Sequence, residues 1–275
     1  MMNHLSSLLL SDSALIMGVL NTTPDSFSDG GRYTSVESAQ AQALVMCAQG
    51  ADIIDVGGES TRPGAQEVGV KEEIKRVVPV IESIRQHSDV CISIDTSKPE
   101  VMQAAIVAGA NLVNDVNGLR AEGALALCAE LKVPVCVMHM QGEPRTMQAN
   151  PVYDDVVDDI KLFFEQRILA CIDAGIERQN IILDPGFGFG KSLQHNLQLL
   201  KRLKEFQAFD LPLLAGLSRK SMLGKILNDD SPEHRLSASL AAAVLARNNG
   251  AKIIRVHDVK PTVDALKVCD AMLAV

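Results

Sequence analysis

The sequence predicts an α/β protein, a single-domain (β/α)8 TIM barrel, and three observations predict it. Short β-branched runs recur eight times along the 275 residues. Several of them lack in/out alternation, which suits parallel strands buried on both faces. Segments with helical spacing lie between the runs. At four joints, Gly50, Gly109, Gly175 and Gly250, a glycine ends an Ala-rich helical run just before a strand, where a left-handed helix C-cap is needed. Eight strand–helix units account for the length as one domain over 1–275, with 1–13 as a short N-terminal extension. A doubly wound open sheet is the runner-up. It would carry a phosphate fingerprint after its first strand, and Gly18-Val-Leu-Asn21 is none.

In chain order, the first strand is read at 15–20 and runs into a polar loop from Asn21. Thr34-x-x-Glu37 has the form of a capping box and opens the first barrel helix, which Gly50 ends before the second strand, 52–56. Ile74, Val77, Val78, Ile81 and Ile84 mark the apolar stripe of the next helix. Pro79 inside that stripe predicts a kink or a break. The third strand is 90–95, and Ser97-x-x-Glu100 reads as a second capping box. Strands follow at 112–116, 133–138, 181–184, 211–215 and 252–256. Ser231-Pro232 reads as an N-cap with proline at the first helical position.

Composition narrows the function. With 47% hydrophobic and 22% charged residues the chain is globular rather than disordered. A net charge of −8 argues against a broad grip on nucleic acid or an anionic membrane, while a local anion site stays open. Nine aromatics and no Trp leave few stacking platforms for single strands. No apolar stretch reaches the ~18 residues that span a bilayer. The N-terminus lacks a basic region, and Ser11, Asp12 and Ser13 interrupt its leucines, so no signal peptide is expected. Six cysteines, none in a Cys-x-x-Cys pair, read as reduced thiols of a cytoplasmic protein.

In a barrel, chemistry sits where strands end and βα loops begin. Nearly every predicted strand delivers a polar side chain there. Asp95, Asn114 and Asp184, on different strands, suit a flat heterocycle with amino and ring N–H donors. A carboxylate cage for a divalent metal competes, and the amide and the nearby Lys220 weaken it. Lys220, Arg255 and His257 come from strands 7 and 8, the usual phosphate region of a barrel, and form a local basic pole. Asn21 is either a turn cap or an oxygen ligand for Mg²⁺ on a pyrophosphate. The run from Gly186 to Gly190 is not a P-loop, since three residues separate these glycines where that motif has four. It reads as a flexible loop carrying Phe187 and Phe189 toward a ligand. His139 and His257 lack zinc-pair spacing, and Ser218 lies outside any nucleophile-elbow motif.

The segments Asn21-Thr-Thr-Pro-Asp-Ser-Phe-Ser-Asp-Gly-Gly31, Asp55-Val-Gly-Gly-Glu-Ser-Thr-Arg-Pro-Gly64, Asp184-Pro-Gly-Phe-Gly-Phe-Gly-Lys191, Ser218-Arg-Lys-Ser221 and Arg255-Val-His-Asp258 together resemble the dihydropteroate synthase family of folate biosynthesis. The likeness runs in order from about residue 14 to the end, without a departure at a motif position. It implies a (β/α)8 homodimer that condenses 6-hydroxymethyl-7,8-dihydropterin diphosphate with 4-aminobenzoate, giving 7,8-dihydropteroate and pyrophosphate. Asp95, Asn114, Asp184 and Lys220 would read the pterin, and Lys220, Asp95 and Asp184 would act in catalysis. Arg255 and His257, with Thr61 and Arg62 on a mobile loop, would hold the diphosphate, and Asn21 the Mg²⁺. Ser218, Lys220, Phe189 and Pro63 would border the aminobenzoate pocket, where sulfonamides compete.

Two other functions fit a pterin-binding barrel: methyl transfer from a folate to a corrinoid partner, and pterin binding without catalysis. The first would not need Ser218-Arg219-Lys220 with Arg255-x-His257, nor the Thr61-Arg62-Pro63 loop, and the second would have lost its anion residues.

Overall fold

Each apolar run forms a strand: the first two reach one residue further than read, the sixth matches, and the other five are trimmed. The strands are β1 Leu15–Asn21, β2 Ile53–Gly57, β3 Cys91–Asp95, β4 Leu112–Asp115, β5 Val135–Met138, β6 Ile181–Asp184, β7 Leu214–Ala215 and β8 Ile253–Val256. The computed structural model describes residues 4–22, 32–60, 66–142, 146–148 and 151–275. All strand pairings are parallel, in the order β6-β5-β4-β3-β2-β1-β8-β7. The two sheet edges meet through a parallel bridge between Leu183 and Leu213, where the Leu183 N–H donates to Pro212 O at 2.9 Å. The sheet therefore curls into a barrel with all strand C-termini at one mouth.

Helices fill the crossovers: α2 Arg32–Ala48, α3 Val70–Arg85, α4 Pro99–Val107, α5 Ala124–Leu131, α6 Val156–Asp173, α7 Leu193–Lys201, α8 Ser221–Leu227, α9 Leu236–Asn248 and α10 Val259–Leu273. The predicted C-cap glycines carry the left-handed backbone they were assigned, with φ of 100° at Gly50, 115° at Gly109, 98° at Gly175 and 97° at Gly250.

Alternate strand residues point to opposite faces. Ile54, Ile92, Ile94 and Val113 face outward into the helix-packed core. Met17, Ile53, Cys91, Leu112, Cys136 and Ile182 face inward and fill the N-terminal half of the bore. A helix at the N-terminus, α1 His4–Leu9, adds Leu5 to that inner cluster, so part of the expected extension belongs to the barrel core.

Four local expectations change. Pro79 does not break its helix, because α3 runs through it. A proline removes a single ladder donor, and the buried Val77, Val80, Ile81 and Ile84 hold the stripe against the barrel. Ser97 is not a cap: Lys98 occupies that position ahead of Pro99, and the Ser97 hydroxyl donates instead to Asp115 Oδ1. Helix α2 begins at Arg32, so Thr34 lies inside its first turn. Ser231-Pro232 does place proline first, but in a 3-10 turn, Pro232–Arg235, and the serine hydroxyl donates to Glu233 at 2.6 Å. The side-chain caps lie elsewhere, at Asp155 before α6 and at Ser192, whose capping box with His195 opens α7.

Candidate active site

Two residues beyond the inner Ile53, Cys91, Leu112, Ile182 and Ile253, the same face turns polar at Asp55, Ser93, Asn114, Asp184 and Arg255, while β1 and β5 keep Val19 and Met138 there. Asp55 follows Ile53 by two residues and is fully buried. Asp95 pairs in register with Asn114 on one side and Gly57 on the other. From β8, inward-facing Arg255 reaches across the bore: its Nε donates to Asp55 Oδ2 at 2.6 Å and its Nη2 to Asp95 Oδ2 at 2.7 Å. The Asn114 amide donates to the same Asp55 Oδ2 at 3.2 Å. One guanidinium thus occupies the place between two carboxylates that a cage metal would need.

The arrangement leaves an acceptor open. Asp95 Oδ1 is buried and has no hydrogen-bond partner, a costly state for a carboxylate oxygen unless a ligand supplies a donor. Burial pushes the Asp95 carboxyl up to about 7; Arg255 opposes this and Asp55 reinforces it. Asp184 closes the far side of the mouth. Burial raises its pKa as well, against the Gly186 N–H that donates to Oδ1 at 2.8 Å.

Lys220 stands over the loop after β6. Its Nζ lies 4.1 Å from the centroid of the Phe189 ring, within cation–π range. Gly188 has to lack a side chain there, since a Cβ would meet Lys220 Cδ at 3.2 Å on a backbone with φ of 81°. Burial and the neighbouring Arg255 pull the Lys220 ammonium down to about 8, partly offset by Asp184 and Asp95. Beside it, His257 Nδ1 is 3.1 Å from Ser218 Oγ, and the His257 backbone N–H donates to the same oxygen at 3.2 Å. Burial, Arg255 and Arg219 lower His257 to about 4, so its ring is neutral near pH 7. Arg219 is held by a bidentate pair with Asp258 at 2.6 and 3.0 Å.

The fold therefore brings Asn21, Asp95, Asn114, Asp184, Phe189, Ser218, Lys220, Arg255 and His257 to one mouth. Thr61, Arg62 and Pro63 lie outside the described residues. Two expectations change. The basic pole is a mixed cluster: Arg255 is committed to Asp55 and Asp95, His257 is neutral, and Lys220 carries the uncommitted charge among these three. The glycine loop is not a free arm carrying both rings. Phe187 is 1% exposed within the helix-side core, and a Cβ at Gly186 would lie 2.0 Å from His139 O. Only Phe189 of the pair faces the lysine.

Sequence reasoning missed Asp55, Glu73 and Lys191. Asp55 was readable from parity, since a residue two beyond an inward Ile53 also points inward. Glu73 is an acid in the first turn of α3, yet it is completely buried, accepting from Thr96 Oγ1 at 2.7 Å and Lys98 Nζ at 2.5 Å. Lys98 also donates to Glu59, whose other oxygen accepts the Val68 N–H at 3.1 Å, so this network ties both stems of the loop after β2. No local pattern marks Glu73 as buried, because its partners arrive from other loops.

Comparison with known proteins agrees with this geometry. The family model described as "Pterin binding enzyme" matches residues 17–257. Dihydropteroate synthase of Escherichia coli K12 is 56% identical over 259 residues, covering 94% of this chain and 92% of that protein. The structure of Yersinia pestis dihydropteroate synthase with a sulfonamide drug complex superposes with a TM-score of 0.92 at 51% identity, covering 97% of each chain. That of Xanthomonas albilineans dihydropteroate synthase with 4-aminobenzoic acid gives 0.91 at 50% identity, covering 96% of this chain and 94% of that one. With an arginine bridging two inner carboxylates, an open acceptor on Asp95 and a lysine over Phe189, the chain belongs to the pterin-binding enzymes and, within them, to the dihydropteroate synthases.

Proposed function

We propose that the mouth of this barrel joins the pterin-linked methylene of 6-hydroxymethyl-7,8-dihydropterin diphosphate to the amino nitrogen of 4-aminobenzoate. The C–O bond to the diphosphate breaks, a C–N bond forms, pyrophosphate leaves, and the amine gives up one proton. The observation that carries this reading is the buried, unpartnered Asp95 Oδ1 beside the Arg255 bridge.

Asp95, Asn114 and Asp184 supply acceptors and one amide for the pterin edge. As the diphosphate departs, the methylene becomes electron-poor, and the carboxylates of Asp95 and Asp184 stabilise it at short range in a site with little water. Lys220 offers its ammonium to the pterin and to the leaving group, while Arg255 and His257 serve the diphosphate, a role the same reading gives to Thr61 and Arg62. Phe189, Ser218 and Lys220 border the aryl acceptor, a role the same reading gives to Pro63. No protein nucleophile is required.

Mg²⁺ fits this set. Asn21 ends β1 at the mouth, and a Cβ placed on Gly57 would lie 3.9 Å from Asn21 Oδ1 and 3.8 Å from Asp95 Oδ2. One neutral amide oxygen there suits a hard cation that takes its other ligands from phosphate and water. When bound, the ion would neutralise charge on the departing pyrophosphate. The same reading makes the whole chain, 1–275, one catalytic domain working as a homodimer in the cytoplasm. The cysteines, all free, support a reducing compartment. Methyl transfer to a corrinoid is not favoured, because the matched relatives are dihydropteroate synthases.

The test is pyrophosphate release by the purified protein. Release is expected only when pterin diphosphate, 4-aminobenzoate and Mg²⁺ are all present. Folded protein that releases none under those conditions would overturn the reading.

A further inference from the structure

Behind the site lies a buried lysine, pulled down to about 7 by burial, to which the reaction above assigns no role. Lys191 follows the glycine loop between β6 and α7 and is 3% exposed. Its Nζ lies 2.9 Å from Gly186 O, 3.0 Å from Phe189 O, 3.4 Å from His139 O and 3.1 Å from His139 Nδ1. Three of these four acceptors are backbone carbonyls, two from the glycine loop and one from the segment after β5. A lysine amine donates two or three hydrogen bonds, and an ammonium accepts none, so the buried head group gathers carbonyls. The His139 ring suits this contact: burial first, then the charges of Lys191 and Arg120, lowers it to about 2, and its neutral Nδ1 presents a lone pair.

Burying a lysine costs free energy unless its donors are used. Here two acceptors belong to the loop that carries Phe189, and the other two to His139, whose carbonyl lies against that loop at Gly186. The loop's glycines, with φ of 69° at Gly186, 81° at Gly188 and 58° at Gly190, take turns that L side chains rarely adopt. Asn196 holds the same loop from α7, accepting the Gly188 N–H at 2.7 Å and donating to Lys191 O at 3.3 Å. At the loop's outer side the Phe189 ring meets Lys220 Nζ and packs beside Met138, Met140 and Met147.

We propose that Lys191 is a positioning residue: by collecting the Gly186 and Phe189 carbonyls with His139, it sets the Phe189 ring under Lys220 and shapes the arylamine side of the site. This rests on the reading that 4-aminobenzoate binds beside Phe189. Lys191 touches neither substrate and acts through the loop.

The test separates positioning from general stability. Lys191→Met keeps the stem and removes the donors. It is expected to raise KM for 4-aminobenzoate by ~10-fold or more while changing KM for pterin diphosphate by less than about 2-fold. Phe189→Leu should give a rise of similar size. In the Phe189→Leu background, Lys191→Met should add less than about 2-fold, since both changes remove one arrangement. Lys191→Gln, which keeps two amide donors, is measured alongside with the same split expected at smaller size. Equal rises in both KM values, multiplicative effects in the double variant, or unchanged KM values in folded protein would each overturn the proposal. So would failure of both Lys191 variants to fold, which assigns the residue to stability. Turnover by the unmodified protein tests the functional reading separately, so a flat Lys191 result on an active parent counts against this proposal alone.

Discussion

In the N-terminal half of the bore, Met17, Ile53, Cys91, Leu112, Cys136 and Ile182 bury one another beneath the Leu5 side chain of α1. In the C-terminal half the same strands turn Asp55, Asp95, Asn114, Asp184 and Arg255 inward. On β2 the two halves are separated by one inward step, Ile53 to Asp55, and on β8 by the step from Ile253 to Arg255. The lower set stabilises the barrel by removing apolar surface from water, about 1.5–3 kcal/mol for each large side chain. The upper set does the reverse: it places charges where burial opposes them and offsets that cost by pairing, one guanidinium to two carboxylates. A two-residue step along a strand thus moves from a position that holds the fold to one that serves chemistry.

Substitutions at the two levels should separate activity from stability. Arg255→Met removes the cation from between Asp55 and Asp95. It should lower kcat/KM by more than about 1000-fold and stability by about 3 kcal/mol, because both carboxylates stay buried without their partner. Pyrophosphate release and chemical denaturation check the two effects, and a stable, active variant would erase the contrast.

Lys220→Ala should lose about 100-fold or more in kcat while melting within a few degrees of the parent. A drop of many degrees would make this mouth residue structural. The pH profile sharpens the same point. Lys220 is held down to about 8, so its ammonium is present below that pH and is lost as pH rises through it. The alkaline limb of kcat/KM should therefore fall through about pH 8. Lys220→Arg should move that limb upward, since a guanidinium stays charged.

Asp95→Asn should weaken pterin binding about 10-fold, with a smaller effect on 4-aminobenzoate, measured by calorimetry. Equal losses for both ligands would contradict its place on the pterin side. At the lower level, Ile53→Ala should cost about 2–5 kcal/mol of stability by leaving a cavity, with kcat per folded molecule unchanged. A large loss of kcat at low temperature would show that the two halves are coupled.

Much of this contrast was legible in the chain. Runs such as Ile181–Asp184 read as strands because both faces of a parallel barrel strand are buried. Asp95, Asn114 and Asp184 stood out because each interrupts or ends an apolar run, and Lys220 because it follows one in a polar loop. What stayed hidden depended on partners distant in sequence. Arg255 read only as a phosphate ligand, and nothing local showed that Asp55, 200 residues away, would also hold its Nε. Ser97 resembled a cap because a local pattern cannot show Asp115 competing for its hydroxyl. Phe187 and Phe189 looked equivalent in a glycine-rich segment, and the backbone turns sent one into the core and the other under Lys220.

The sequence by itself determined the eight-fold strand–helix rhythm, the glycine joints and the polar groups delivered to strand ends, because period, turn chemistry and polarity are local properties of the chain. Only the tertiary structure decided which polar groups neutralise one another and which acceptor stays open. Burial and charge pairing depend on the curl of the sheet, which brings β2, β3 and β8 around a single arginine.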